Sequence, residues 1–542
     1  TTVASTTTQA PQTGGTLRFG VYSEVQGLDP IVGLGSGTSG GIQMAAIYDT
    51  LVRWNPTTAT YENRIAESVV ANTDSTEWTI KIRPNIKFTD GTDYDAAAVA
   101  FGLNRHRSGL TGAPKCEEIV ACPRSTNSSA VFMALVKDIQ VIDKVSLKVV
   151  LTEPWTSFPF ALSAEPAMIP SPTALKKCDA TKNPNTCDFN IKPVGAGPYM
   201  VESSYKTGEP LRVIRNPNYW GGPTYLDAIE FVNANDTGGL QTLEAFKANT
   251  TQAAYLRNPE AIKAAKDAKI AGFSTLNQAG NILLMNMGVS VTCAAGKPEP
   301  LCVGKPDGPT PTNPVTKDLK VRQAIAAALD PKAIDQRATN GTGIPTTAMF
   351  TSEFPWDPKV AGPKYDLDAA KRLVQEAKAA GWNGQLSFVT VNTPQGNAVG
   401  LAIEAQLKAA GIDVRLESKE STLHQQQVIS LKNFELTVWG TSAGPDDSAL
   451  WALAQNFLST SASNRVGFKS TIVDQALKDI RVAKTNDEKR AAYGKVAQEI
   501  AAQLPIYVFT ATEEYRIYNS KVHGLAPGNK SYVFFDKAWV ER

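Results

Sequence analysis

Cysteine is the residue type whose spacing here carries the most direct chemical message. The six cysteines fall in three local pairs: Cys116 with Cys122, Cys178 with Cys187, and Cys293 with Cys302. Each pair brackets a Pro- or charge-rich loop. Zinc would need tight Cys/His spacing, but no C-x-x-C occurs, and His106, His424 and His523 are far apart in the chain. The pairing predicts three disulfide-closed loops, hence an oxidising compartment. In the chain-entropy model each such loop contributes about 2–3 kcal/mol. Carboxylates are plentiful, but no G-x-S-x-G elbow, G-x-x-x-x-G-K-[ST] loop or H-E-x-x-H helix is present. Asp90-Gly91 reads as a turn, not as a catalytic acid. Residues 35–40 fit G-x-G-x-x-G. A dinucleotide site needs that loop directly after a buried strand, and here a polar, Pro-containing segment intervenes. What survives is the access that Gly35, Ser36 and Gly37 give a ligand to backbone N–H groups. No enzyme, metal or cofactor is expected.

The elements that must hold these loops are mixed. At roughly 150 residues per domain, 542 residues make three to four units or two large lobes. Hydrophobic content of 42% with 20% charge is ordinary for a globular protein. A balance of 54 basic against 52 acidic residues argues against a nucleic-acid partner. No apolar run is long enough to span a bilayer. Residues 1–15 are polar, lack apolar periodicity and read as a flexible tether. Alternation predicts strands at Thr16–Tyr22, Glu77–Ile82, and a pair within Val141–Leu151 turning at Asp143-Lys144. Asp95 is placed to cap a helix over Ala96–Arg105. Helices are also predicted over 236–249, 318–329, 367–380 and 398–410. Leu386–Val391, Ala398–Ala410 and Ile412–Leu416 have the lengths of a βαβ unit. Phe434–Trp439 reads as a buried strand.

The stretch Gly195–Gly222 combines a glycine turn closed by Pro198, an extended run to Tyr205, a Gly/Pro turn, a returning strand at Leu211–Ile214 and a rigid aromatic corner. Its Gly195-Ala196-Gly197-Pro198-Tyr199 and Arg215-Asn216-Pro217-Asn218-Tyr219-Trp220 resemble the hairpin of extracellular solute-binding proteins of the peptide- and nickel-binding class, family 5 of the ABC importers. Ala196 departs from that family's usual Thr. Trp78, Arg83, Pro84, Phe88, Asp90 and Gly91 match a second block, Val141–Leu151 a third, and Asp318–Leu329 followed by Asp330-Pro331 a fourth. The resemblance runs in order from about residue 16 to the end.

The resemblance implies an α/β, two-lobed periplasmic-binding-protein-like fold with a hinge of two crossing strands. Residues 16–275 plus 512–542 would form lobe I, with 55–199 a subdomain in it, and 276–511 would form lobe II. It implies an extracytoplasmic, monomeric binder that closes on a peptide and delivers it to an ABC permease. A lipidated N-terminus outside this chain would supply its only membrane attachment. The implied site joins Gly35, Ser36 and Gly37 to Asn392, Thr393, Trp439, Gly440, Thr441 and Ser442. The family's peptide binders carry an aspartate three residues after a strand-end Trp, for the ligand ammonium; Ser442 stands there. Some dipeptide binders carry an arginine for the ligand carboxylate where Thr393 stands. Either Asp446 or Asp447 substitutes for the missing aspartate, or both cap the helix beginning near Ser448. Trp439 is a flat wall for the ligand or a core residue. The neutral loops also suit an oligosaccharide or other neutral polar solute. A secreted structural or adhesion protein is the remote alternative.

Overall fold

The computed structural model describes residues 10–32, 38, 40–107, 130–178, 186–299, 301–441 and 443–542. Contacts divide them into two compact units, one within Thr1–Thr275 and Glu514–Arg542, the other within Leu276–Glu513. The chain passes between the units twice, each time inside a long strand: Gly272–Met285 and Ile506–Tyr518.

In the first unit Thr16–Val21 lies parallel to both Ala228–Asn233 and Ala253–Leu256. The hairpin Tyr199–Val201 and Leu211–Arg215 extends the sheet beyond Ala228–Asn233. Helix Gly41–Tyr48 is buried at every position, as its apolar sequence requires. Gly195 and Gly197 pack against its C-terminal end: a Cβ on either would stand 2.3 and 2.5 Å from backbone atoms of Ile47. That is why this turn is built of glycine. A separate antiparallel sheet runs in the order Ala66–Ala71, Glu77–Ile82, Ser146–Leu151, Val136–Val141. Helix Ala96–Arg107 packs on it, and Asp95 Oδ1 accepts from Ala98 N there. Asp90 is a turn residue, its carboxylate taking Thr92 N, Thr92 Oγ1 and Ser171 Oγ.

In the second unit Asp413–Lys419, Gln385–Val391 and Leu436–Gly440 are parallel neighbours, and Gly272–Met285 runs antiparallel to the last. One face is covered by Leu319–Ala328, Leu367–Ala379 and Pro394–Ala409, around a core with Phe388, Ile403 and Tyr507. The other is covered by Ser448–Phe457, Thr471–Val482 and Asn486–Gln503, around Phe354, Phe457 and Tyr493. Two disulfides are formed, Cys178–Cys187 and Cys293–Cys302, with Cα atoms 5.7 and 5.4 Å apart. Cys116 and Cys122 lie outside the described residues.

Candidate ligand-binding site

Parallel strands bring their carboxyl ends to one edge, and in open α/β sheets that edge is where ligands bind. In the second unit the pairing of Val391 with Lys419, and of Val389 with Thr437, puts Asn392, Glu420 and Gly440 at the same edge. Asn392 is exposed. Its N–H donates to Lys419 O at 2.7 Å, and its Oδ1 accepts from Asn397 Nδ2 at 3.0 Å. Thr393, also exposed, caps helix Pro394–Ala409 by accepting from Gly396 N at 3.0 Å. Its side chain stands beside backbone donors and is neutral, as the sequence implies.

Trp439 is half-buried at the end of Leu436–Gly440, paired with Ile282. Its ring meets the His424 ring at 5.7 Å between centroids, and the Arg465 guanidinium lies 5.0 Å above it. Trp439 is therefore a half-buried margin of the core. Gly440 is exposed, and a Cβ there would come within 3.2 Å of Gly280 O. Thr441 turns inward, donating to Ala279 O at 2.6 Å. Ser442, Gly35, Ser36 and Gly37 lie outside the described residues.

Asp446 and Asp447 are 1% and 2% exposed. Asp446 Oδ1 accepts from Ser448 N at 2.7 Å, at the start of Ser448–Phe457. Asp447 Oδ1 holds Lys489 Nζ at 2.7 Å, and that ammonium also lies 4.3 Å from the Trp356 ring centroid. The Asp446 carboxylate serves the start of this helix, whereas Asp447, at the N-cap position, makes no side-chain cap hydrogen bond and pairs with Lys489 instead. Burial raises the Tyr493 phenol well above its ordinary value, and the two aspartates add to the effect. Sequence reasoning missed His424 and Arg465. His424 is buried with Nε2 2.8 Å from Thr437 Oγ1, and burial lowers its pKa. No local pattern announces either residue, since both are defined by packing on Trp439.

An open cavity of about 730 Å³ lies at the opposite ends of the same strands, lined among others by Gln385, Asp413 and Glu435. The Glu435 carboxylate there accepts from Ser387 N at 2.6 Å and from Val315 N at 3.2 Å, so its charge is engaged in holding backbone. Among the described residues no cluster of three or more His, Cys, Asp or Glu side chains could hold a metal. No helix there is long and apolar enough to cross a membrane.

The model of bacterial extracellular solute-binding proteins, family 5 Middle, matches residues 60–464. The chain belongs to the bacterial extracellular solute-binding proteins of family 5. This family-5 protein is 26% identical over 458 residues to the glutathione-binding protein GsiB of Salmonella paratyphi A, covering 81% of this chain and 78% of GsiB. It is 25% identical over 508 residues to protein XP55 of Streptomyces lividans, covering 91% and 82% of the two chains. Its fold is similar to the crystal structure of a dipeptide binding protein from Pseudoalteromonas sp. SM9913 in complex with Met-Leu, with TM-score 0.74, 18% identity and coverage of 97% and 100%. The periplasmic-binding-protein fold expected from the hairpin and helix motifs is the fold of this family-5 binding protein, which is of the ABC-importer class.

Proposed function

We propose that this family-5 protein captures a short peptide outside the cytoplasm and hands it to the permease of an ABC importer. The observation that carries this reading is the strand edge of the second unit. There exposed Asn392 and Thr393 stand next to Trp439 and the bare backbone of Gly440. An extended peptide is recognised largely through its main chain. Neutral polar side chains, open backbone and one flat apolar wall suit that recognition and leave side-chain preference broad. A peptide reading is supported by relatives whose names record glutathione binding and peptide binding. Thr393 in place of a charged anchor favours a second reading, a solute recognised by hydroxyl and amide contacts alone.

The test is calorimetric titration with a pool of di- and tripeptides, paired with native mass spectrometry of protein purified from its own host. Peptide binding that weakens on Trp439→Ala supports the reading. A co-purified glycan, with no response to peptides, favours the second.

A further inference from the structure

A small cavity of about 180 Å³ lies wholly within the first unit. Its walls are the carboxyl ends of Thr16–Val21 and Ala228–Asn233, helix Gly41–Tyr48, and the Gly/Pro turn of the hairpin that carries the family motif. Val25, Leu211 and Phe231 give it an apolar, buried lining. Gln43 lines it from the helix, the single carboxamide in an otherwise apolar element. That side chain is 3% exposed, and its buried Oε1 receives no hydrogen bond. Leaving a buried acceptor unanswered costs about 1–3 kcal/mol. Methionine, of similar size and helix propensity, would avoid that cost at this position.

The charges around Gln43 are of one sign. Glu24 and Glu209 line the cavity, and among its described lining residues none is basic. Glu209 is exposed and already has Lys206 Nζ at 3.7 Å. Glu24 is only partly exposed. Its Oε2 accepts from Gly208 N at 3.1 Å, which uses one of the carboxylate's roughly four lone-pair sites. Its charge stands close to the buried Tyr205 phenol: burial, with Glu24 adding to the effect, pushes that group up to about 12. Acceptors set on apolar walls define the occupant. It must donate hydrogen bonds, carry positive charge and present hydrocarbon to Val25, Leu211 and Phe231. A bare metal ion has no hydrocarbon, and a water has neither hydrocarbon nor charge. A primary ammonium on a short chain has all three, with three donors and no acceptor.

From this geometry we infer that the cavity binds a small primary alkylammonium ion, its donors shared between Gln43 Oε1 and the Glu24 carboxylate and its chain laid on the apolar wall. This is a second site, built entirely in the first unit, and it does not depend on the peptide reading of the strand edge in the second.

The experiment follows thermal unfolding of the whole chain in n-butylammonium chloride, in n-butanol and in tetramethylammonium chloride, at equal concentrations and matched ionic strength. A solute that binds only the folded state raises the melting temperature by mass action. Wild type should be stabilised by n-butylammonium alone. Glu24→Gln keeps an oxygen for Gly208 N and removes the charge, whereas Gln43→Met removes the acceptor and keeps the bulk. Each should need roughly 10- to 100-fold more n-butylammonium for the same shift, the scale of a lost charged hydrogen bond. In plain buffer Gln43→Met should melt no lower than wild type, because it deletes an unanswered polar atom; this separates lost binding from lost folding. A lower melting temperature for Gln43→Met would mean that the fold answers Oε1 by itself, and would overturn the inference. So would no response of wild type to n-butylammonium, an equal response to n-butanol or tetramethylammonium, or a response that survives both substitutions. Peptide titration reports on the strand edge separately, so either reading can fail without the other.

Discussion

The hydroxyl of Tyr219 donates to Asp49 Oδ2 at 2.7 Å, closing the Asn-Pro-Asn-Tyr-Trp corner onto the residue that ends the buried helix Gly41–Tyr48. Asp49 is fully buried and also accepts from Arg64, from Trp220 Nε1 at 3.2 Å and from Thr50 N at 2.7 Å. The motif that identifies the family by sequence is thus one arm of a buried clamp. Asp49→Asn would leave the Arg64 guanidinium facing only the weaker answer of Asp536, 3.2 Å away. Breaking a buried pair in this way costs about 3–5 kcal/mol. Tyr219→Phe removes one donor from a carboxylate that keeps several others, so its cost should sit near about 1 kcal/mol. Urea unfolding of the two variants checks the ordering; a larger loss for Tyr219→Phe would contradict it.

The two disulfides should be separable in their effects. Each joins cysteines nine residues apart, a short loop for which chain entropy gives about 2–3 kcal/mol. The Cys178→Ser/Cys187→Ser and Cys293→Ser/Cys302→Ser variants should each lose that much in urea unfolding. Non-reducing peptide mapping should also find Cys116 joined to Cys122. Free thiols or crossed partners would remove the chemical argument for an oxidising compartment.

Local signals made much of this chain legible. Asp318 and Asp330 cap their helices as acceptors for Lys320 N and Lys332 N. Asp143-Lys144 turns the strand pair, which begins earlier than expected, at Val136. The helix expected to begin at Ala398 begins at Pro394, because Thr393 is a good N-cap and proline suits the first helical position. Gly396, a weak helix former, lies within that first turn. The helix expected from Asp236 starts at Leu240, since the Asp236 carboxylate is taken by Thr242 N. The site was legible as strand-end loops only. What Asp49, Asp447 and Trp439 do is set by Tyr219, Lys489 and Arg465, and two of those pairings span 170 and 42 residues. Periodicity reports which face of an element is buried, not which distant charge arrives there. The lobes came from the family resemblance for the same reason.

His106 should make the protein sensitive to mild acid. It is buried at the end of helix Ala96–Arg107, and burial, with Arg105 and Lys530 adding repulsion, pushes its pKa down to about 3. In the unfolded chain the value is near ~6.5. Above that the imidazole is neutral in both states and contributes no pH dependence. Below it the unfolded chain takes up a proton that the folded protein refuses until about pH 3. Stability therefore falls as pH drops through this window, by at most about 1.4 kcal/mol per pH unit for this one group. Urea midpoints at pH 7 and pH 4 should drop further for wild type than for His106→Gln. Equal drops would assign the acid sensitivity elsewhere.

Asp447 tests whether a carboxylate near the site belongs to the ligand or to the fold. Its partner Lys489 is 13% exposed at the side chain, so the pair is largely withdrawn from water. A ligand ammonium could reach Asp447 only by competing with Lys489, at a cost that a short peptide must then recover. The structural role predicts that Asp447→Asn loses about 3–5 kcal/mol in the ligand-free protein, because the ammonium stays buried without its carboxylate. Adding Lys489→Met should recover part of that loss, and the non-additivity measures the pair directly. Peptide affinity should be unchanged in whatever fraction of Asp447→Asn remains folded. Full ligand-free stability in Asp447→Asn, together with lost affinity for free peptides and retained affinity for N-acetylated ones, would instead make this aspartate the holder of the ligand ammonium.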